Sequence, residues 1–435
     1  MKETSSPASS RASRRDFLAA AAAGAVVLGS TPFVHAGGSD VLKVGLIGCG
    51  GRGTGAAGQA LHADSNVKLT ALGDLFEDHL QSSLANLRND SEIGPKVDVK
   101  PDHCFVGWDA YKQVLATDVD VVILTTPPHF RPLHLKAAVE AKKHIFCEKP
   151  VAVDAPGVAS VVNSCQEAKK NGKSLVSGLC YRYQHAKREV MQKVHEGAVG
   201  DIVALHCTYY TGELGRHPRQ KAWTDMEWQL RNWQHFTWLS GDCNVEQHIH
   251  SLDKMMWAMK DAPPKHCIGV GGRQRRADPD LCQIFDHHSV CYQWANGVKL
   301  FAACRQQDNT AKDVTDYVLG TKGVADIMKH KIVGENAWAS KIDPKQDDMY
   351  QNEHDELFAS IRKGEPINNG DYMTTSTLVA IMGRMATYTG QVITWEMAMN
   401  SKEDLTPRKA DGSPMYEFGD IAVPPTAVPG VTKFV

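Results

Sequence analysis

The sequence predicts an α/β protein. An N-terminal parallel sheet flanked by helices precedes an α+β part built on a large, open, mostly antiparallel sheet. Three observations predict this. Residues 44–47 (VGLI) form an apolar run that leads into Gly48-Cys49-Gly50-Gly51-Arg52-Gly53, a G-x-G-x-x-G turn of the kind that joins a strand to a helix. Near-continuous apolar runs then alternate with helix-period segments as far as residue 178, the mark of parallel strands buried on both faces. From Asp201 onward the runs lengthen and alternate apolar with polar, the mark of antiparallel strands.

In chain order, residues 54–62 read as the first helix and 67–73 (VKLTALG) as the second strand. Residues 77–88 read as a helix with Leu80, Leu84 and Leu87 on one face. The stretch 89–103 is polar and reads as loop, and 108–115 as a short helix. Residues 120–125 (DVVILT) form a strand stopped by Pro127 and Pro128, followed by a helix at 132–141 and a strand at 144–147. Asp154 stands as N-cap of a helix over 154–171, and 174–178 is a further strand. The second sheet takes strands at 201–210, 265–270, 289–294, 299–304, 316–320 and 324–327, with Asn296-Gly297 as a hairpin turn. An aromatic-rich loop at 216–238 and helices at 245–259, 352–363 and 374–389 complete it. The Pro-rich tail from Glu403 is expected to drape over the surface. The expected division is 1–36, 41–172, 173–400 and 401–435.

With 435 residues, 42% apolar and 23% charged, the chain is long enough for two ordinary domains. A net charge of -2 and dispersed Lys and Arg argue against a nucleic-acid surface. Residues 1–36 carry Ser13-Arg14-Arg15-Asp16-Phe17-Leu18, an apolar run at 19–28 and Val34-His35-Ala36. Together these read as a twin-arginine signal that hands the chain to that export machinery for a periplasmic destination; a basic amphipathic N-terminus is the alternative. No later stretch has 18 uninterrupted apolar residues, so no membrane span is expected. The eleven cysteines include no C-x-x-C and read mostly as small buried apolar residues, with one disulfide left open.

The Gly-rich turn carries a chemical expectation. Gly48 permits the tight turn, Gly50 and Gly51 let backbone approach a pyrophosphate, and Gly53 lets the helix pack on the strand, with Arg52 among the cofactor contacts. Asp74 follows 26 positions after Gly48, where an acid holds the ribose 2′-OH of NAD and repels a 2′-phosphate. Leu75 and Phe76 follow it where an Arg would have favoured NADP. Thr125-Thr126-Pro127-Pro128-His129 and Glu148-Lys149-Pro150 end two further strands at the same ligand-binding edge. Thr125, Thr126, Pro127, His129, Glu148 and Lys149 are therefore expected cofactor contacts. Lys149 is also an acid/base for a hydroxyl, its pKa lowered by burial and positive neighbours, with Pro150 a candidate cis residue that would fix its direction. The plain alternatives are a structural turn and a solvated Lys.

Glu246, His250 and Asp253 fall at i, i+4 and i+7 of the expected helix, so that the acid orients the imidazole and the imidazole works on a sugar hydroxyl. No second ligand cluster completes a metal set, so no metal is expected. Tyr181, Tyr183, Tyr209, Tyr210, Trp223, Trp228, Trp233 and Trp238, interspersed with Arg182, Arg216 and Arg231, suit sugar faces and hydroxyls; packing in the core is the alternative. Arg182, Tyr183, Trp233 and Asp253 are taken as substrate-binding residues.

GLIGCGGRG, Asp74, TTPPHF, CEKP and the E-x-x-x-H-x-x-D segment together resemble the glucose–fructose oxidoreductase, inositol dehydrogenase and rhizopine-catabolism family, Gfo/Idh/MocA. The resemblance covers residues 41–253 and implies a Rossmann domain followed by an open, largely antiparallel α/β domain. It also implies nicotinamide at their interface, Lys149 as a catalytic residue and His250 as its partner. The family's segment commonly reads Asp-x-x-x-His; Glu246 takes the Asp place here. The long aromatic loop is similar to that of the family's exported branch. The expected activity is NAD-dependent oxidation of a secondary hydroxyl of a sugar, polyol or glycoside, in a homo-oligomer that keeps its cofactor. A redox-neutral, NAD-dependent glycoside hydrolase is the first alternative and a non-catalytic sugar-binding protein the second.

Overall fold

The computed structural model describes residues 40–275 and 282–435. The expected export signal lies outside the described residues.

Six parallel strands make the first sheet: β1 (Leu42–Ile47), β2 (Val67–Asp74), β3 (Cys104–Val106), β4 (Val121–Leu124), β5 (His144–Cys147) and β6 (Leu175–Ser177). Their order is β3-β2-β1-β4-β5-β6. Side chains alternate between two cores. Leu42, Val44, Leu46, Val121, Ile123 and Phe146 point to one face, where α1 (Gly51–Ala63) and α2 (Glu77–Asn89) pack with Leu61, Leu80, Leu84 and Leu87. Ile47, Val122, Leu124, Ile145 and Cys147 point to the other, under α3 (Ala110–Ala116), α4 (Arg131–Glu140) and α5 (Ala155–Lys170). Both faces exclude water, so each strand reads as an unbroken apolar run. Asp154 caps α5 by accepting from the Gly157 N–H at 2.8 Å.

Three features of this half differ from expectation. β3 follows directly on the stretch read as loop, where no strand was expected; it is only three residues long and not fully buried, too short for a period to show. β6 ends at Ser177, past the expected boundary at 172. The sheet also recruits the distant C-terminal part. Residues 367–369 run along β6, with Leu175 N–H donating to Ile367 O (2.7 Å) and Asn369 N–H to Leu175 O (3.0 Å).

The second half begins with α6 (His185–His195), which the sequence reading did not anticipate. Its nine-stranded sheet has β7 (Ile202–Thr211), β8 (His266–Gly272), β9 (His287–Gln293), β10 (Lys299–Gln306), β11 (Asp313–Gly320), β12 (Gly323–Asp326), β13 (Lys331–Gly334), β14 (Trp338–Ala339) and β15 (Ile393–Thr394). The order is β14-β13-β12-β11-β7-β10-β9-β8-β15, antiparallel except between β7 and β10. Gly297 turns the β9–β10 hairpin at φ 91°. The aromatic loop contains α7 (Asp225–Arg231) and α8 (Thr237–Ser240).

The helix expected over 245–259 is two helices, α9 (Cys243–Glu246) and α10 (Ile249–Ala258). The Glu246 carbonyl accepts the Lys149 ammonium at 2.6 Å, and the His250 N–H bonds Gln247 O at 3.2 Å instead. The i→i−4 ladder is broken there by a side chain. α11 (Met349–Lys363) returns to pack on α1, α12 (Gly370–Thr389) runs buried between the two sheets, and α13 (Trp395–Asn400) closes the described helices. Most cysteines are buried, as the sequence reading expects: nine of the eleven.

Candidate active site

Backbone geometry builds the groove at the carboxyl edge of the first sheet. Gly48 has φ 99°, and a Cβ there would lie 2.6 Å from the Thr126 nitrogen. A Cβ on Gly53 would lie 1.9 Å from Gly48 O, so only glycine lets α1 sit this close to β1. Gly50 and Gly51, at the start of α1, face open space, which leaves the helix N-terminus accessible to an anion. Thr125 Oγ1 donates to Gly48 O at 2.6 Å and braces the turn. Asp74 closes β2; its carboxylate accepts the Cys49 N–H (2.6 Å) and the Phe76 N–H (2.8 Å). A cavity of about 310 Å³ adjoins it, lined by Gly48, Gly50, Asp74, Thr125, Thr126 and Pro127. Aromatic residues complete its wall: Phe76, Trp108, Phe130, His134, Trp233 and Tyr416. An open Gly turn, an acid at the second strand end and aromatic walls fit a dinucleotide with a free ribose 2′-OH.

Three expected cofactor contacts are placed elsewhere. His129 is buried behind the groove, edge-on to Phe130 and Trp238 at 5.0 Å each, and desolvation pulls its pKa down to about 4. It is packing, and His134, one helical turn on, is the histidine in the cavity wall. The Arg52 guanidinium turns away from the Gly turn to pair with Glu148 and, at 2.9 Å, with Glu353 of α11. Glu148 is spent on that pair and on the Lys149 N–H at 2.9 Å. A motif read along the chain gives no direction for a long side chain, and two buried acids, Glu148 and Glu353, decide this one.

Lys149 follows β5, and its peptide bond to Pro150 is cis. Its ammonium reaches across to the Glu246 carboxylate at 3.0 Å as well as the Glu246 carbonyl. Burial alone would lower its pKa, but the charges of Glu246 and Glu148 outweigh burial and raise it. This reverses the expectation of a depressed lysine: its close neighbours are anions. His250 moves the other way. Desolvation, then the charges of Lys149, Lys254 and Arg52, pull it well below its ordinary value, so the imidazole is neutral. Its Nδ1 and Glu246 Oε2 are buried without a hydrogen-bond partner among the described residues. Tyr181 stands edge-on to the His250 ring at 5.4 Å. The Lys149 cation and the Glu246 carboxylate thus meet directly, and the Lys149 charge reaches the neutral His250, a set suited to taking a proton from a hydroxyl.

Of the expected substrate residues, Trp233 lines the groove. The other three are structural. Arg182 makes a bidentate pair with Asp253 (2.8–3.1 Å), reaches Asp261 at 2.6 Å, and lies over Tyr372 at 4.1 Å. Asp253 also accepts Ser376 Oγ at 2.7 Å, so neither group is free for a ligand. Tyr183 is buried with its hydroxyl on Asn369 Oδ1 at 2.7 Å. The break at residues 247–248 separates Glu246 from the helix that carries His250 and Asp253, and Asp253 is turned to Arg182 and Ser376. Tyr416, which the sequence reading does not single out, also stands in the groove wall. Its signal was available: Tyr416 and Phe418 are two aromatics close together in an otherwise polar, Pro-rich tail.

Among the described residues one group, Asp242, Cys243 and His288, brings ligand-type atoms within 4.8 Å of one another. Its donors are already used. Asp242 accepts His288 Nε2 (3.0 Å), Phe285 N–H (2.9 Å) and the Tyr388 hydroxyl. It is a satisfied buried ion pair behind α9.

Strand order, Gly turn, strand-end acid and groove define the class: an oxidoreductase with an NAD-binding Rossmann fold. Residues 42–178 match the Gfo/Idh/MocA family model described as "Oxidoreductase family, NAD-binding Rossmann fold". It is 24% identical over 297 residues to inositol 2-dehydrogenase of Burkholderia cenocepacia (strain HI2424), covering 67% of this chain and 76% of that one. The crystal structure of GenD2 from gentamicin A biosynthesis in complex with NAD shares the fold (TM-score 0.64, 15% identity, 82% of this chain and 97% of that one). So does that of aldose-aldose oxidoreductase from Caulobacter crescentus complexed with glycerol (TM-score 0.62, 19% identity, 81% and 99%).

Proposed function

We propose that this NAD-binding oxidoreductase oxidises a secondary hydroxyl of a sugar, polyol or glycoside. The observation that carries the reading is the neutral His250, with an unpartnered Nδ1, beside the Lys149–Glu246 pair. Bound NAD+ supplies the acceptor for the hydride leaving carbon. The chain's own residues handle the oxygen. His250 takes the hydroxyl proton, and the Lys149 ammonium stabilises the negative charge that develops on oxygen. Glu246 keeps Lys149 charged and directed. The named activities of the inositol dehydrogenase and aldose-aldose oxidoreductase relatives are consistent with a polyhydroxylated substrate.

Export through the twin-arginine route to the periplasm is part of the proposal and rests on residues 13–36. An exported enzyme meets little free NAD, so the dinucleotide stays bound and a second substrate returns it to its starting state. A homo-oligomer is also proposed. One face of the second sheet is covered by α10 and α12; the other exposes Val203, Ile268, Val270 and Phe301, each at least half exposed. The unpartnered Glu246 Oε2 favours one alternative: transient oxidation, elimination of an aglycone by a carboxylate base, hydration and re-reduction, which cleaves a glycoside with no net redox change.

The deciding experiment denatures the purified folded protein, quantifies released nicotinamide cofactor, and then tests polyols, aldoses and glycosides for turnover. Stoichiometric NAD(H) with hydride transfer to or from a polyol supports the reading, and glycoside cleavage without net NADH moves it to the alternative. His250→Ala and Lys149→Met are each expected to lower kcat by about 100-fold or more. A His250→Ala protein with unchanged turnover would sink the acid–base assignment.

A further inference from the structure

The tail that the sequence reading placed on the surface is built into the groove wall. Tyr416 lines the cavity beside Asp74. Its ring stacks on Trp108 at 5.9 Å and lies 5.8 Å from Phe130. Phe418 covers the next stretch, stacked on Phe76 at 6.0 Å and tilted against Trp108 at 5.6 Å. All these partners follow strands of the first sheet at the edge that carries Asp74, so the tail lies over the end of the groove where the Asp74 carboxylate stands.

The tail is anchored to the aromatic insert as well as to the sheet. Met226 N–H donates to Gly419 O at 3.0 Å, Ile421 N–H to Asp225 at 3.3 Å, and Gln229 Nε2 to Ile421 O at 3.3 Å. From the insert, Arg231 lies over the Phe76 ring at 4.0 Å and pairs with Asp78 at 3.0 Å. Upstream, Leu405 N–H donates to the α5 cap residue Asp154 at 3.1 Å, and Glu403 pairs with the buried Arg384. Insert and tail meet each other and both meet the rim of β2 and its following turn.

We propose that residues 405–421 are part of the cofactor site: with the insert they form a clasp over the ribose–adenine end of the groove that retains the dinucleotide through turnover. The proposal rests on the retained-NAD reading above and deepens it by naming the retaining residues. Aromatic faces at this rim suit a planar heterocycle. A dinucleotide held beneath them leaves only when an interlocked segment lifts, so the effect falls on dissociation more than on association.

The test compares wild type with Tyr416→Ala/Phe418→Ala and with Phe418→Ala alone. Phe418 is 43% exposed, so its single truncation tests the same clasp with little risk to folding. Each protein is passed through gel filtration, checked by thermal unfolding, and assayed for NAD(H) per chain and for the off-rate of bound NADH by fluorescence. Wild type is expected to keep about one dinucleotide per chain. The double variant should lose most of it and release NADH at least tenfold faster, with the single variant between. Variants that retain NAD(H) as wild type does overturn the clasp while leaving the retained-cofactor reading intact. Wild type that carries no dinucleotide overturns both.

Discussion

Lys149, Glu246 and His250 show how neighbours set the chemistry of a side chain. Two carboxylates keep the lysine charged, and the same lysine helps keep the histidine neutral, so base and electrostatic partner are assigned by environment. A second buried pair offers a pH test. Burial pushes Asp242 up, but the His288 charge and the hydrogen bonds of His288 and Tyr388 bring it down to about 2. Burial pushes His288 down, but Asp242 raises it to about 10. The Asp242 contribution to stability is complete above its ordinary 3.8 and is lost as pH falls towards 2. The His288 contribution is complete below its ordinary 6.5 and is lost as pH rises through about 10. His288→Gln should therefore cost about 3–5 kcal/mol near pH 6, with the penalty shrinking towards pH 10. Urea melts of both proteins across that range check this, and a penalty independent of pH would contradict it.

At the scale of elements, α1, the end of β5 and α11 are tied by one cation. Arg52 of α1 pairs with Glu148 after β5 and with Glu353 of α11, and its guanidinium lies 4.9 Å over Tyr350. Burial, then the Glu148 charge, raise Glu353 well above its ordinary value, so it is protonated and accepts Arg52 through its carbonyl oxygen. Removing the cation strands Glu148, whereas replacing Glu353 by its neutral isostere removes no charge. Arg52→Met is expected to destabilise by about 3 kcal/mol or more and Glu353→Gln by less than about 1 kcal/mol. Equal losses in thermal or urea unfolding would mean that Glu353 is ionised.

For the whole molecule, the exposed sheet face sets the prediction. Ile268 on β8, Cys291 on β9 and Phe301 on β10 lie in register across adjacent strands and share the uncovered face. Phe301→Glu, at a ring already 51% exposed, should leave folding intact and shift the proposed oligomer to smaller species in light scattering. An unchanged mass would remove this face from the proposed interface. The two halves are not separable units. α11 packs on α1, and residues 367–369 extend the first sheet beside β6, so a chain ending at residue 172 would lack both β6 and its cover.

What the sequence by itself determined is local or periodic. Apolar runs buried on both faces announced the parallel strands, the Gly turn had no other residue to offer, and Asp74 followed at the end of the next strand. Strands from 201 onward showed because alternation survives in a sheet with one open face. Lys149, Glu246 and His250 were legible as chemistry-bearing residues at a strand end or beside one another in a short segment. Only the tertiary structure decided where long side chains go. It turned Arg52 from the groove to two buried acids, spent Arg182 and Asp253 on each other, raised rather than lowered Lys149, and split the helix at residue 247. It also brought Tyr416 and Phe418 from the tail to the rim of a groove begun at Gly48. The physical reason is range: backbone preference and period act over a few residues, whereas charge pairing and packing act between groups that only folding brings together.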